Sequence, residues 1–180
     1  MKHIKRWCLM RCNTEENLTE HSYQSAVIAH ALALIKNKLF DGNVNAENVA
    51  AVALFHDSSE VITGDMPTPV KYSNPKLKEA YKEMEKEADN RLLEMLPDFL
   101  KEEYGALLNI DENSEVFKIV KAADKISAYI KCVEETSSGN VEFSVAEKKT
   151  KAAIDSLDMP EVKYFMEHCI EGFFMPLDVL

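Results

Sequence analysis

Apolar residues recur three and four positions apart along most of this chain, the period of an α-helix, and no run alternates convincingly enough to be a strand. The pattern and its breaks predict helices near 18–38, 45–62, 74–96, 98–108, 114–137, 140–156 and 161–172. The fold class that follows is all-α. Thr19 is the expected N-cap of the first helix, and Gly64 the expected stop of the second, with Pro67 and Pro69 stiffening what comes next.

Three of these helices carry polar groups where the pattern asks for core. In the helix over 45–62, Val49, Val52, Ala53, His56 and Glu60 fall on one stripe, with Asp57 at its margin. An imidazole and two carboxylates are costly to bury unpaired. A divalent metal is the economical compensation, since neutral imidazole nitrogen and ionised carboxylate are its usual ligands; a buried His bonded to a helix carbonyl is the plainer alternative. His21 lies on the inward face of the first helix with Gln24, Ser25, Ile28, Leu32 and Ile35. Asp124 interrupts the apolar run Val116–Ile130, where an ion pair with Lys121, three residues earlier, competes with a ligand role. Three helices of a bundle can converge His21, His56, Asp57 and Asp124 on one point.

Composition narrows the class. At 180 residues, 46% hydrophobic, with only 5 Gly and 6 Pro, the chain reads as one domain over residues 1–180. A net charge of −10 argues against a nucleic-acid polymer, whose backbone demands concentrated positive charge, but not against a single nucleotide in one locally positive pocket. The charged run from Lys78 to Asp89 reads as a solvated helix face. No apolar run reaches membrane-spanning length and no secretory leader is evident, so a cytoplasmic protein without a membrane partner is expected. Four Cys are too few for a disulfide framework at this size. Cys8 and Cys12 could share a helix face but make a poor zinc pair, while Cys132 and Cys169 read as core. His30 is turned away from His21 on the same helix, and His3 and His168 stand in weak contexts.

The order His21, then His56-Asp57, then Asp124 resembles the HD-domain metal-dependent phosphohydrolase superfamily. The surrounding words Arg6-Trp7, Glu20-His21-Ser22, His56-Asp57-Ser58-Ser59-Glu60, Thr63 to Lys71 and Lys121-Ala-Ala-Asp124 are similar to those of bacterial 5'-deoxynucleotidases, over most of residues 4 to 175. The resemblance implies an HD-domain helical bundle with a metal site at its centre, assembled as a homodimer. It also implies removal of phosphate from deoxyribonucleoside 5'-monophosphates with one divalent transition metal ion such as Co, Mn or Cu.

Carried over to this chain, His21, His56, Asp57 and Asp124 become the metal ligands. Arg6, Glu60 and Asp65 become catalytic residues: Glu60 a carboxylate beside the attacking water, Asp65 a group that positions water or substrate, Arg6 a clamp on the phosphate. Trp7 would pack against the sugar, and Asp65, Met66, Pro67 and Thr68 would touch the nucleotide, with His21 and Asp124 also bordering it. The segment between Glu112 and Asp124 looks shorter than in that family, and Glu112 is given no role.

The chemistry fits these residue types on its own terms. A divalent ion lowers the pKa of water toward about 7 and compensates phosphoryl charge, and arginine offers phosphate a planar fork. The alternatives for this chain are another HD-type nucleotide phosphohydrolase such as a phosphodiesterase or triphosphohydrolase, or a catalytically silent helical domain that binds a nucleotide or only holds a structural metal; Arg6-Trp7 and the Asp65–Thr68 loop favour the monophosphatase, and the presence of both Glu60 and Asp65 speaks against silence.

Overall fold

The computed structural model describes residues 1–179, and among them every regular element is helical. Two helices begin where the sequence reading placed them, with cap chemistry that explains why. Helix α1 (Leu18–Leu39) starts on Asn17, not on Thr19: the Asn17 side chain accepts from the amides of Thr19 and Glu20, and Glu20 reaches back to the Asn17 amide. This capping box satisfies amides at both sides of the helix start. Helix α7 (Glu115–Ser137) starts on Ser114, whose hydroxyl accepts from the Phe117 amide.

The core lies where α1, α2 (Ala46–Phe55) and α7 meet. Ile28 and Leu32 of α1, Val49 and Ala53 of α2, and Ile119, Ile126 and Ile130 of α7 are fully or almost fully buried, each large aliphatic contributing about 1.5–3 kcal/mol. Alanines 29, 33, 53, 122 and 123 let the helices approach closely. Beyond this core the chain forms α3 (Glu60–Thr63), α4 (Thr68–Lys71), α5 (Pro75–Glu94), α6 (Asp98–Leu108), α8 (Ser144–Asp155) and α9 (Pro160–His168), with 310 turns at Val141–Phe143 and Ile170–Phe173. The turns account for the longer helices expected over 140–156 and 161–172. Val162 and Phe165 of α9 close one end of the core, and Cys169 packs partly buried against it. Cys132 is fully buried, and burial pushes its thiol up to about 12. Helix α5 is the solvated element expected: of its described side chains only Tyr81 and Ala88 are buried.

The helix expected over 45–62 is one continuous right-handed path with a change of pitch. Helix α2 ends at Phe55; the amides of Ser58, Glu60, Val61 and Ile62 then each donate to the carbonyl three residues back, at 2.9–3.1 Å. This tighter winding carries His56, Asp57, Ser58 and Ser59 between α2 and α3. Gly64, at φ 75, ends α3 with its amide on the Glu60 carbonyl, a conformation that costs glycine little.

Residues 1–17 contain no helix, so Cys8 and Cys12 share no helix face. The segment folds as a loop closed at its base by a bridge between Lys5 and Asn17, with the Arg6 amide on the Glu16 carbonyl and the Leu18 amide on the Ile4 carbonyl, both 3.0 Å. Its far side is tied to α7. The Glu135 carboxylate accepts from the amides of Asn13 and Thr14, and the buried Lys131 ammonium donates to the Thr14 carbonyl and to Glu135.

Candidate active site

The first turn of α1, the tightened turn after α2 and the middle of α7 bring His21, His56, Asp57 and Asp124 together. Ligand atoms of His21, His56 and Asp124 all lie within 4.8 Å of one another. Asp57 joins them, with Oδ2 at 3.1 Å from His56 Nε2 and 3.6 Å from His21 Nε2, while Asp124 Oδ1 stands 3.2 Å from His21 Nε2. The ion pair between Lys121 and Asp124, the alternative to a ligand role, is not formed, and Lys121 acts on Asp124 only as a nearby positive charge.

Each imidazole has its Nδ1 occupied. His56 Nδ1 is 2.6 Å from the Ala53 carbonyl, which can only accept, so the proton sits on Nδ1. His21 Nδ1 is 3.1 Å from Ser127 Oγ, whose own proton goes to Gln24 Oε1 at 2.6 Å. Both Nε2 atoms are therefore left as bare lone pairs, buried and without a hydrogen-bond partner, as is Glu60 Oε2. Orphaned acceptors of this kind are rare in folded proteins, and two of them facing two carboxylates fit a divalent cation held by nitrogen and oxygen donors.

The electrostatics reflect crowding of like charges. Burial opposes ionisation of Asp57 and Asp124, but the neighbouring imidazoles win and hold both carboxyls well below the usual range. Burial works against a charge on His56, but Asp57 and Asp124 outweigh it and raise the group, so without a cation the carboxylates draw a proton toward the same Nε2 lone pair that a divalent ion would occupy. Glu60 gets too little help from Arg6 and Lys71. Burial, then the charges of Asp57 and Asp65, push it up to about 9, so without a cation nearby it holds its proton at neutral pH; a positive ion among the ligands favours its ionised form. Asp65 is likewise raised, by burial first, although Arg6 pulls the other way.

Arg6 enters from the N-terminal loop. Its side chain is nearly buried, with Nε 3.2 Å from Glu16 Oε2 and Nη1 3.6 Å from Asp57 Oδ2. Burial disfavours its charge, but Asp124, Glu16, Asp57 and Asp65 more than restore it. Trp7 follows with its ring 5.2 Å from the buried Phe143 ring and its indole N–H on the same Glu16 oxygen at 2.9 Å. Met66 and Pro67 continue from Asp65 into the exposed N-terminus of α4 at Thr68. The Tyr81 hydroxyl donates to the Gly64 carbonyl at 2.7 Å and so anchors the start of that loop. Glu112 is exposed and paired with Lys82, away from these groups.

Sequence reasoning had no role for Glu16, Ser127 or Tyr81. A signal existed for Ser127, a small polar residue on the buried stripe one turn after Asp124. Glu16 gave none, since a Glu-Glu pair ahead of a helix reads as solvated charge.

The arrangement has known counterparts. The model of the YfbR-like 5'-deoxynucleotidase family matches residues 1–173. A 5'-deoxynucleotidase of Photobacterium profundum is 49% identical over 179 residues, which is 99% of this chain and 92% of the relative. An HD-domain phosphohydrolase from Listeria innocua superposes with a TM-score of 0.83 at 26% identity, covering 99% of this chain and 86% of the other. The cyanophage S-2L HD phosphohydrolase, solved bound to dA and one catalytic Zn2+ ion, shares the fold at a TM-score of 0.63 and 20% identity, over 95% of this chain and 92% of its own. The all-α bundle with its His/Asp cluster is thus an HD-domain phosphohydrolase fold, and the chain belongs to the YfbR-like 5'-deoxynucleotidase family.

Proposed function

We propose that this chain hydrolyses deoxyribonucleoside 5'-monophosphates to deoxynucleoside and phosphate, using one divalent transition metal ion held by His21, His56, Asp57 and Asp124. The observation that carries the reading is the pair of bare, buried Nε2 atoms facing two ionised carboxylates, with the Arg6 guanidinium beside them. The 5'-deoxynucleotidase of Photobacterium profundum, at 49% identity, supports the same substrate class.

When bound, the ion would acidify water and compensate charge on the phosphoryl oxygens. The protein does the rest. Arg6 grips the phosphate through the end of its fork that faces Asp57 and holds it in line for attack. Glu60 takes the proton of the attacking water as the new P–O bond forms. Asp65 orients water and phosphate, and the P–O5' bond breaks with the departing oxygen taking up a proton from solvent water, while Glu60 passes the proton it received to solvent. Trp7 lies against the sugar, where a 2'-hydroxyl would be buried without a partner; that omission disfavours ribose by about 1–3 kcal/mol. Met66, Pro67 and Thr68 complete the wall next to the nucleotide, and His21 and Asp124 border it from below.

The same reading makes the enzyme cytoplasmic and homodimeric. No helix among the described residues is long and apolar enough to cross a membrane, and Tyr23, Val27 and Leu34 form an exposed apolar stripe along α1 that a second copy would cover. A phosphate-release assay on dAMP, AMP, dATP and a cyclic nucleotide, run on metal-free protein with Co, Mn, Cu, Zn or Mg added back, tests the activity. Phosphate release from dAMP, faster than from AMP and restored by a transition metal, is the expected result; chromatographic appearance of deoxynucleoside and triphosphate from dATP, or of the linear monophosphate from the cyclic nucleotide, steps that free no inorganic phosphate, in preference to dAMP hydrolysis would replace the monophosphatase with another HD-type phosphohydrolase.

A further inference from the structure

We propose that Glu16 is a positioning residue that couples the phosphate clamp to the sugar wall, one carboxylate oxygen holding both the Arg6 guanidinium and the Trp7 indole. The inference rests on the reading of Arg6 and Trp7 as substrate-gripping residues. Glu16 Oε2 accepts from Arg6 Nε at 3.2 Å and from Trp7 Nε1 at 2.9 Å, and its side chain is only 11% exposed, so water does not readily replace either bond. The Arg6 bond uses the Nε edge of the guanidinium and leaves the Nη1 end turned toward Asp57 and the metal ligands. Charge-assisted bonds of this kind fix direction as well as distance.

Trp7 needs such a tether. Its backbone stands at φ 60, the left-handed region that side chains other than glycine rarely adopt, and strained conformations persist only when their surroundings over-determine them. Phe143 supports one part of the ring and Glu16 fixes the indole N–H, so the ring has one orientation.

A purely structural role for Glu16 in closing the loop is redundant. The loop is already held by the Lys5–Asn17 bridge, by Glu135 on the amides of Asn13 and Thr14, and by Lys131 on the Thr14 carbonyl. None of these contacts touches the Glu16 side chain. What Glu16 alone supplies is a shared acceptor for two groups adjacent in sequence and aimed at different parts of one nucleotide.

Trp7 is the only tryptophan, so its fluorescence reports the clamp directly. The test compares metal-loaded wild type with Glu16→Ala, Glu16→Gln, Glu16→Met, Arg6→Ala and Trp7→Ala. The readouts are KM and kcat for dAMP and AMP, tryptophan emission and acrylamide quenching, and bound metal. Glu16→Ala should raise KM for dAMP about tenfold with kcat far less affected, and should reduce the dAMP-over-AMP preference to that of Trp7→Ala, a loss of about tenfold. Its emission should shift to the red and quench more readily, with metal content unchanged.

Glu16→Gln keeps an oxygen able to accept both N–H groups and should retain preference and emission. Glu16→Met fills the space without an acceptor and should behave as Glu16→Ala even where the alanine variant folds poorly. Wild-type preference and wild-type emission in both Glu16→Ala and Glu16→Met would overturn the clamp while leaving the substrate reading intact. If Trp7→Ala and Arg6→Ala themselves leave preference and KM untouched, the substrate reading has failed, and the clamp falls with it.

Discussion

The Nδ1 nitrogen of His21 meets the hydroxyl oxygen of Ser127 at 3.1 Å, across 106 positions of sequence. Because the Ser127 proton goes to Gln24, its oxygen must accept from His21, which keeps the Nε2 lone pair turned toward Asp57 and Asp124. Groups that fix a ligand's tautomer are worth about 10–100-fold in metal affinity. Ser127→Ala should weaken metal binding by that factor in a competition titration against a chromophoric chelator, and Ser127→Thr should restore it. Unchanged affinity in Ser127→Ala would break the link between the hydroxyl and the ligand.

Loss of a ligand and loss of a catalytic carboxylate separate cleanly. Asp124→Ala should abolish metal retention and activity together, whereas Glu60→Gln should abolish activity and keep nearly full metal content, both read by elemental analysis of purified protein. Full occupancy in a variant lacking both Asp57 and Asp124 would refute the ligand set, since two imidazoles alone do not hold the ion as before.

Removing the ion should also soften the fold. Without it only the raised Glu60 and His56 groups, Arg6 and Lys121 offset the buried charges of Asp57 and Asp124. A ligand at a hundred times its Kd adds about 2.7 kcal/mol to stability, which in a chain of this size corresponds to a Tm shift of about 5–10 °C. Calorimetry before and after chelation should show that drop, reversed by adding metal back. A Tm indifferent to metal would mean the ion does not bind the folded site.

Glu135 makes stability depend on pH at a place remote from the chemistry. Burial opposes its charge, but Lys131, Asn140 and the amides of Asn13 and Thr14 hold it down to about 2, against 4.5 ordinarily. A depressed acid stabilises fully above its unfolded value and loses that contribution as pH falls through the folded one. Glu135→Ala should therefore cost about 3–5 kcal/mol at pH 7, and the gap from wild type should close between about pH 4.5 and 2 in urea titrations. A gap that stays constant over that range would assign the loss to packing and not to charge.

Much of this was legible in the chain before it was folded. The apolar stripes of α1, α5, α6 and α7 give those helices to within a few residues, and polar residues on buried stripes pointed to His21, His56, Asp57 and Asp124. The change of pitch after Phe55 was not legible. A stripe at period 3.6 tolerates a single 310 turn without visible interruption, so His56 and Glu60 still looked like positions on one α-helix. The N-terminal loop was hidden for a different reason: it has no periodicity, and its anchors, Glu135, Lys131 and Glu142, lie more than 110 positions away. Asn17 was readable, since the Asn17–Glu20 spacing is that of a capping box, but Thr19 competed for the same place.

The grips on the ion and on the nucleotide belong to parts of the molecule with different resistance to opening. The four proposed ligands ride on α1, α7 and the turn that follows α2, the elements that form the central packing. Arg6 and Trp7 ride on a segment with no helical ladder, fastened by a handful of hydrogen bonds and ion pairs to the outside of that core. Segments of that kind exchange their amide hydrogens by local opening, well below the cost of global unfolding. On the proposed assignment, rising denaturant should therefore erase the sugar preference while metal is still held: fidelity would be the first property to melt, and cofactor the last.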